Sequence, residues 1–279
     1  MSGIQESSIL IPSSDSVQTE GINSVMDVLE SPKTEIKEDI LRNKHYLYIT
    51  LTNLGMGKYE LDKIKFAYGQ AKKAHNEQYR KSGERYFEHI RSVVTHLVTV
   101  GVLDVDILCA AILHDVVEDT GIYGDTTRPE QFWIEDVAKL LADHFGEKVA
   151  IMVLNLTKTP YEKEIDRDYW TLERIEMEGW EPVTKAEHDR FYIERLSKSN
   201  IGTILVKLAD RLHNLETQDL SNIRSIQKIV HETEQEYYSI FRSAADKSVP
   251  ARALFTKVRL QVLRLKKIYR DYDDMHFTY

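Results

Sequence analysis

Apolar residues recur every three to four positions along most of the chain from about Thr34 onward, the spacing that gives a helix one buried stripe. The pattern predicts helices over about 34–53, 59–78, 84–100, 104–118, 130–145, 147–156, 199–215, 219–245 and 250–271. Breakers separate them: Gly55 and Gly57, Gly101, Gly121 to Gly124 with Pro129, Gly146, Pro160 and Pro250. Twelve glycines and six prolines in 279 residues are few, and long runs of helix formers lie between them, so an all-α fold is expected. Two stretches depart from the pattern. Residues 1–33 are rich in Ser, Thr and Gln, with a short apolar patch at Ile9–Ile11, and read as a mobile tail with at most a short helix around Val25–Leu29. Residues 160–198 are charged and carry Trp170, Gly179, Trp180 and Pro182; they read as an irregular insertion, either helical pieces on the surface or a flap over a site. Residues 34–279 otherwise read as a single domain.

Composition narrows the class. The one cysteine, Cys109, excludes an intramolecular disulfide and a thiolate cluster, and its apolar surroundings make it a small core residue. The first residues lack a cationic segment followed by an apolar run, and no apolar stretch reaches the ~18 residues of a membrane span, so a cytoplasmic protein that does not engage a membrane is expected. A net charge of −8 argues against binding a nucleic acid polymer. Within that acidic chain, Lys63 to Arg91 holds eight basic residues and three acidic ones. Such a local cationic zone suits a compact polyanion such as a nucleotide, or else a solvated helix face.

Three segments carry candidate chemistry. In Asp106–Thr120 an apolar helix runs into His114, Asp115, Glu118 and Asp119. His114 and Glu118 share one helix face and Asp115 and Asp119 the next, so all four can border one pocket. Three carboxylates that close repel one another and lose solvation when buried, a penalty that a divalent cation removes. A second His-Asp pair, His188-Asp189, is flanked by charges without an apolar approach and reads as surface. In Tyr79–His89, Gly83 allows a turn between helices, Arg80 and Lys81 precede it, and His89 falls in the first turn of the next helix, as a further ligand or as a half-buried core histidine. In Ile201–Thr217, Asp210 interrupts an apolar helix, and Asp210, Asn214 and Thr217 form a polar stripe at i, i+4 and i+7. Such a stripe faces a site or a partner, unless Asp210 merely pairs with Lys207 or Arg211.

Together these segments resemble the hydrolase domain of the RelA/SpoT homologue family, including its small stand-alone alarmone hydrolases. The likeness spans residues 60–245 and follows the family's order: Arg80 to His89, His114 to Thr120, Phe145 to Ala150, Leu156 to Lys158, and Val206 to Asn214. It implies an HD-domain helical bundle with a metal site between helices. By the same resemblance His89, His114, Asp115 and Asp210 hold one divalent metal, Mn²⁺ in this family. Glu118 and Asp119 are implied to orient and deprotonate water, while Arg80, Lys81, Ser82, Asn214 and Thr217 embrace the nucleoside. Two imidazoles with two carboxylates suit Mn, Fe or Zn equally, so spacing does not name the metal. A bound divalent ion brings water's pKa from 15.7 towards ~7. The implied reaction is 3′-pyrophosphohydrolysis of ppGpp or pppGpp to GDP or GTP and pyrophosphate.

Two features depart from the family: Arg85 stands where proline is usual, and the connection from Lys158 to Lys207 is longer. Other readings are a same-fold phosphohydrolase of ppApp or NADPH, and a non-catalytic alarmone sensor or antitoxin. The oligomeric state has no signature in the sequence.

Overall fold

The structure, a computed structural model, describes residues 44–80, 83, 85–124, 133–158 and 184–277. The N-terminal tail, its short helix at 25–29, the start of the first expected helix, Lys81 and Ser82, and the tryptophans at 170 and 180 lie outside these residues. Among the described residues there are helices and no strand; one isolated bridge pairs Tyr79 with Arg85. The helices are α1 (Lys44–Asn53), α2 (Lys58–Ala74), α3 (Tyr86–Thr99), α4 (Val105–Leu113), α5 (Val116–Asp119), α6 (Ile134–Phe145), α7 (Glu147–Leu156), α8 (Lys185–Ser197), α9 (Ile201–Glu216), α10 (Ile223–Glu232), α11 (Tyr238–Lys247) and α12 (Val249–Phe277).

Helix α9 is the hub. It packs on α3, α4, α7, α11 and α12, and twelve of its sixteen residues are buried, which is why its sequence is apolar nearly all round. Asn200 starts it by accepting from the Thr203 amide at 2.9 Å. Gly202 permits close approach: a Cβ there would stand 2.7 Å from Met152 Sδ and 3.0 Å from Ile107 Cγ1. The bundle core is one continuous cluster that includes Cys109, as its apolar context implied.

The expected single helix over 104–118 is two. Asp104 caps α4 by accepting from the amides of Asp106 and Ile107. The helix stops at Leu113, Asp115 takes φ −104° and ψ −3°, and α5 resumes at Val116. That backbone lies in the sparsely populated bridge region, common at functional residues, and it turns His114 and Asp115 out of the α4 register. The expected helix over 219–245 is likewise interrupted. A π-helical turn at Thr233–Tyr237 separates α10 from α11 and leaves Tyr237 fully buried.

Of the two readings of 160–198, helical pieces or a flap, its described last third is helical. Residues 185–197 form α8, started by a reciprocal box in which Thr184 accepts from the Glu187 amide and Glu187 accepts from the Thr184 amide. The reading of His188 as surface is corrected. With Tyr192 and Leu196 it forms the buried i, i+4, i+8 stripe of α8, and α8 packs on α7. Charges on the other faces hide this stripe from a periodicity argument. Arg85, by contrast, holds φ −61°, a value proline also adopts, so the entry to α3 keeps that backbone while the added charge points outward.

Candidate metal centre and cleft

Three parts of the bundle deliver the histidines and carboxylates to one place. His89 sits in the first turn of α3, His114 at the end of α4, and Asp210 in the middle of α9. Ligand atoms of these three lie within 4.8 Å of one another, and all three residues are buried. Asp115 joins them: its Oδ2 is 3.0 Å from His114 Nε2 and 3.7 Å from His89 Nε2. Asp210 Oδ1 lies 3.4 Å from His89 Nε2 and 3.9 Å from His114 Nε2.

The outer hydrogen bonds set which nitrogen faces inward. His114 Nδ1 is 2.8 Å from the Ala111 carbonyl, which can only accept, so Nδ1 carries a proton and Nε2 is the nitrogen turned to the site. That Nε2 is buried, with Asp115 Oδ2 3.0 Å away. His213 Nδ1 accepts from Arg80 Nη1 at 3.0 Å and lies 2.8 Å from His89 Nδ1. Arg80 Nη1 is also 3.2 Å from His89 Nδ1, so both histidines turn Nδ1 to the guanidinium, and His89 Nε2 faces the carboxylates. Tyr86, stacked on His75 at 4.6 Å between ring centres, donates its hydroxyl to Asp115 Oδ2 at 2.6 Å. Asp210 accepts from Lys207 Nζ on Oδ2 at 2.9 Å and from Asn214 Nδ2 on Oδ1 at 2.7 Å.

The electrostatics of this cluster call for positive charge at its centre. Burial alone would raise the Asp115 carboxyl, but His114 overrides it and the net shift is downward. Burial works the same way on Asp210, where Lys207 wins and holds the carboxyl well below its ordinary range. Burial opposes protonation of His114, yet Asp115 and Asp210 push its pKa up to about 9. Without a cation the carboxylates thus recruit a proton onto His114. Two inward-facing imidazole nitrogens and two anionic carboxylates match the donor set of a divalent metal, which supplies that charge directly.

Glu118 and Asp119 lie beside these groups on a cleft of about 380 Å³. Glu118 Oε2 accepts from the Lys158 amide at 2.9 Å, and burial, followed by repulsion from Asp115, pushes its pKa up to about 7. Asp119 is also raised, by burial first and Asp115 second, although its side chain reaches solvent. Arg80 lines the same cleft, its guanidinium donating to His213, to Asn214 Oδ1 at 2.5 Å and to Thr217 Oγ1 at 3.4 Å. The polar stripe of α9 therefore meets the Gly83 turn, where the chain reverses at φ +83°. Asn214 reaches Asp210 and Arg80 at once, while Thr217 touches the cleft through Arg80. Four cations, Lys158, Lys207, Arg211 and Lys228, complete the walls.

Several of these groups escaped the reading of the sequence. Lys207 and His213 stand three residues either side of Asp210, so helical spacing already put them near it; Lys207 was weighed only as an ion-pair partner. Tyr86 as a carboxylate donor had no local signal. Lys228 comes to the cleft only because α10 folds back over it.

Residues 67–246, more than half of the chain, match the HD domain family, and the chain belongs to that family. Over 179 residues it is 33% identical to a guanosine-3′,5′-bis(diphosphate) 3′-pyrophosphohydrolase of Aquifex aeolicus, covering 63% of this chain and 20% of that protein. Over 178 residues it is 32% identical to the bifunctional (p)ppGpp synthase/hydrolase SpoT of Escherichia coli, covering 64% of this chain and 21% of that one. The chain thus spans about a fifth of the length of these curated relatives. A solved structure described as a metazoan ortholog of SpoT that hydrolyzes ppGpp is 27% identical, with a TM-score of 0.42, covering 75% of this chain and 95% of that chain. Among the described residues no helix is long and apolar enough to cross a membrane.

Proposed function

We propose that this HD-domain protein is a metal-dependent 3′-pyrophosphohydrolase of ppGpp and pppGpp. One observation carries the reading: Nε2 atoms of two buried histidines converge with two anionic carboxylates on a cleft that also holds a carboxyl with a raised pKa and five cations. The relatives named for the same reaction support it. His89, His114, Asp115 and Asp210 would hold one divalent ion, manganese in our reading. When bound, such an ion acidifies water and draws charge from a phosphoryl oxygen.

The chain's own groups do the rest. Glu118, whose carboxyl burial raises, is placed to accept and return a proton, and Asp119 orients the attacking water beside it. The water oxygen bonds to the phosphorus attached to the 3′ oxygen. That P–O bond breaks, its electron pair goes to the 3′ oxygen, and the oxygen takes up a proton. Tyr86 keeps Asp115 oriented, and Lys207 with Asn214 keeps Asp210 oriented. Lys158, Lys207, Arg211 and Lys228 offset the charge of the departing pyrophosphate. Arg80 offers a planar guanidinium to the purine, with Asn214 and Thr217 fixing its plane. Lys81 and Ser82 join the nucleoside side on the strength of the motif.

The substrate is a free nucleotide and not a nucleic acid polymer, residues 34–279 act as one hydrolase domain, and the protein works in the cytoplasm. The test is metal-stripped protein with ppGpp, with and without Mn²⁺, followed by pyrophosphate release beside an Asp115→Ala control. Release that needs metal and disappears in the variant supports the reading. Tight ppGpp binding without turnover replaces it with a sensor, and absence of both sends the search to ppApp and NADPH.

A further inference from the structure

Tyr192 belongs to none of the motifs, lies on the helix that periodicity missed, and is 2% exposed. Three cations surround its ring. Lys158 Nζ is 5.1 Å from the ring centre, Lys207 Nζ 5.7 Å, and the Arg195 guanidinium carbon 5.8 Å, all within the ~6 Å reach of a cation–π contact. Two of the three, Lys158 and Lys207, line the cleft. The hydroxyl, in contrast, is buried and makes no hydrogen bond. What Tyr192 contributes is therefore its face.

An ammonium drawn to the wall of a cleft loses hydration, and a flexible lysine loses rotamer freedom when it is held there. The negative face of an aromatic ring offsets the first cost and narrows the choice of rotamers. The same helix also anchors the backbone that carries one of these lysines. Arg195 Nη2 donates to the Thr157 carbonyl at 2.5 Å, and the next residue's amide, Lys158 N, donates to Glu118 at 2.9 Å. Lys207 is placed further by Asp210 at 2.9 Å and by the Tyr237 ring at 5.8 Å, which the π-helical turn presents. The two lysines thus come from the chain just past α7 and from α9, and meet at one ring.

We propose that Tyr192 is a positioning residue for the phosphate end of the substrate: its ring holds Lys158 and Lys207 on one wall, so that a pyrophosphate group meets two ammonium groups already in place. This deepens the hydrolase reading and rests on it, but pyrophosphate binding can be measured whether or not ppGpp is turned over. A residue that only fills the core would act through its shape. A positioning ring acts through its electrostatic face, and the two are separable.

The experiment titrates pyrophosphate calorimetrically into Mn²⁺-loaded protein carrying Tyr192, Tyr192→Phe, or pentafluorophenylalanine at position 192, with melting temperatures recorded for each. The fluorinated ring keeps the shape of phenylalanine and loses the attractive face, so it serves where Tyr192→Leu fails to fold. The expected result is Phe within about twofold of the wild type and the fluorinated ring weaker by about three- to tenfold. With ppGpp the same change is expected in KM, with kcat nearly constant. Equal pyrophosphate affinity for Phe and its fluorinated form overturns the proposal, as does a wild type that does not bind pyrophosphate. A wild type that binds pyrophosphate in a ring-dependent way yet leaves ppGpp intact upholds the role of Tyr192 and sinks the proposed reaction instead.

Discussion

Replacing Glu118 by Gln removes one charge from the cleft while keeping its shape, and the amide oxygen can still accept from the Lys158 amide that now bonds Glu118 at 2.9 Å. In the metal-free protein the Glu118 carboxyl rises from 4.5 to about 7, through burial first and Asp115 second. A carboxyl whose folded pKa lies above its unfolded value favours the fold only while protonated. Its penalty is absent below pH 4.5, grows as pH rises, and is complete above about 7. At 1.36 kcal/mol per pH unit, that shift amounts to roughly 3 kcal/mol as a ceiling, since relaxation of a half-buried group reduces it. Denaturation of metal-stripped wild type and Glu118→Gln in the presence of a chelator checks this. The variant is expected to match the wild type at pH 4.5 and to exceed it by about 1–3 kcal/mol at pH 8, several degrees in Tm. The same variant should lose hydrolysis by about 10²-fold or more, because the amide cannot take a proton. Equal stability at pH 8, or a gain as large at pH 4.5, would refute the assignment of a strained carboxyl at this position.

Other consequences follow from the same geometry. Saturating divalent metal should raise the Tm of the wild type, by an amount equivalent to ~2.7 kcal/mol at a hundredfold excess over Kd, and should leave His114→Ala unmoved in a thermal-shift titration. Metal uptake between pH 7 and 8 should release protons, since His114 is held at about 9 without metal; calorimetry in buffers of different ionisation enthalpy reads the number. His213→Leu removes the ring nitrogen 2.8 Å from His89 Nδ1 and should weaken metal affinity by about 10–100-fold, with partial recovery in His213→Gln. Arg80→Lys replaces a planar fork that reaches His213, Asn214 and Thr217 with a point charge, and should raise KM for ppGpp by about tenfold in steady-state assays.

Much of the architecture was legible along the chain. Helix α7 matches its expected bounds, 147–156, because Gly146 and the change at Thr157 bracket an unbroken periodic run. Helical spacing marked the polar stripe of Asp210 and Asn214 and the cluster from His114 to Asp119, the family resemblance supplied the ligand set, and His89, His114, Asp115 and Asp210 lie together in the structure. These features are local: a helix repeats its burial every 3.6 residues, so its inward face can be read from neighbours a few positions away.

The rest depends on contacts between segments distant in sequence. The break at His114–Asp115 interrupts a run whose composition favours continuing, and the groups that face that turn come from α3 and α9. The buried stripe of α8 is defined by the helix it covers, not by a clean apolar pattern. Tyr86 finds Asp115 across 29 residues, Arg80 finds Asn214 across 134, and the lysines at 158 and 207 share the Tyr192 ring. Sequence periodicity specifies which face of each helix turns inward. Where those faces cross, and therefore which side chains come within hydrogen-bonding distance, is set by how α3, α4, α7, α11 and α12 pack around α9 and α8 on α7.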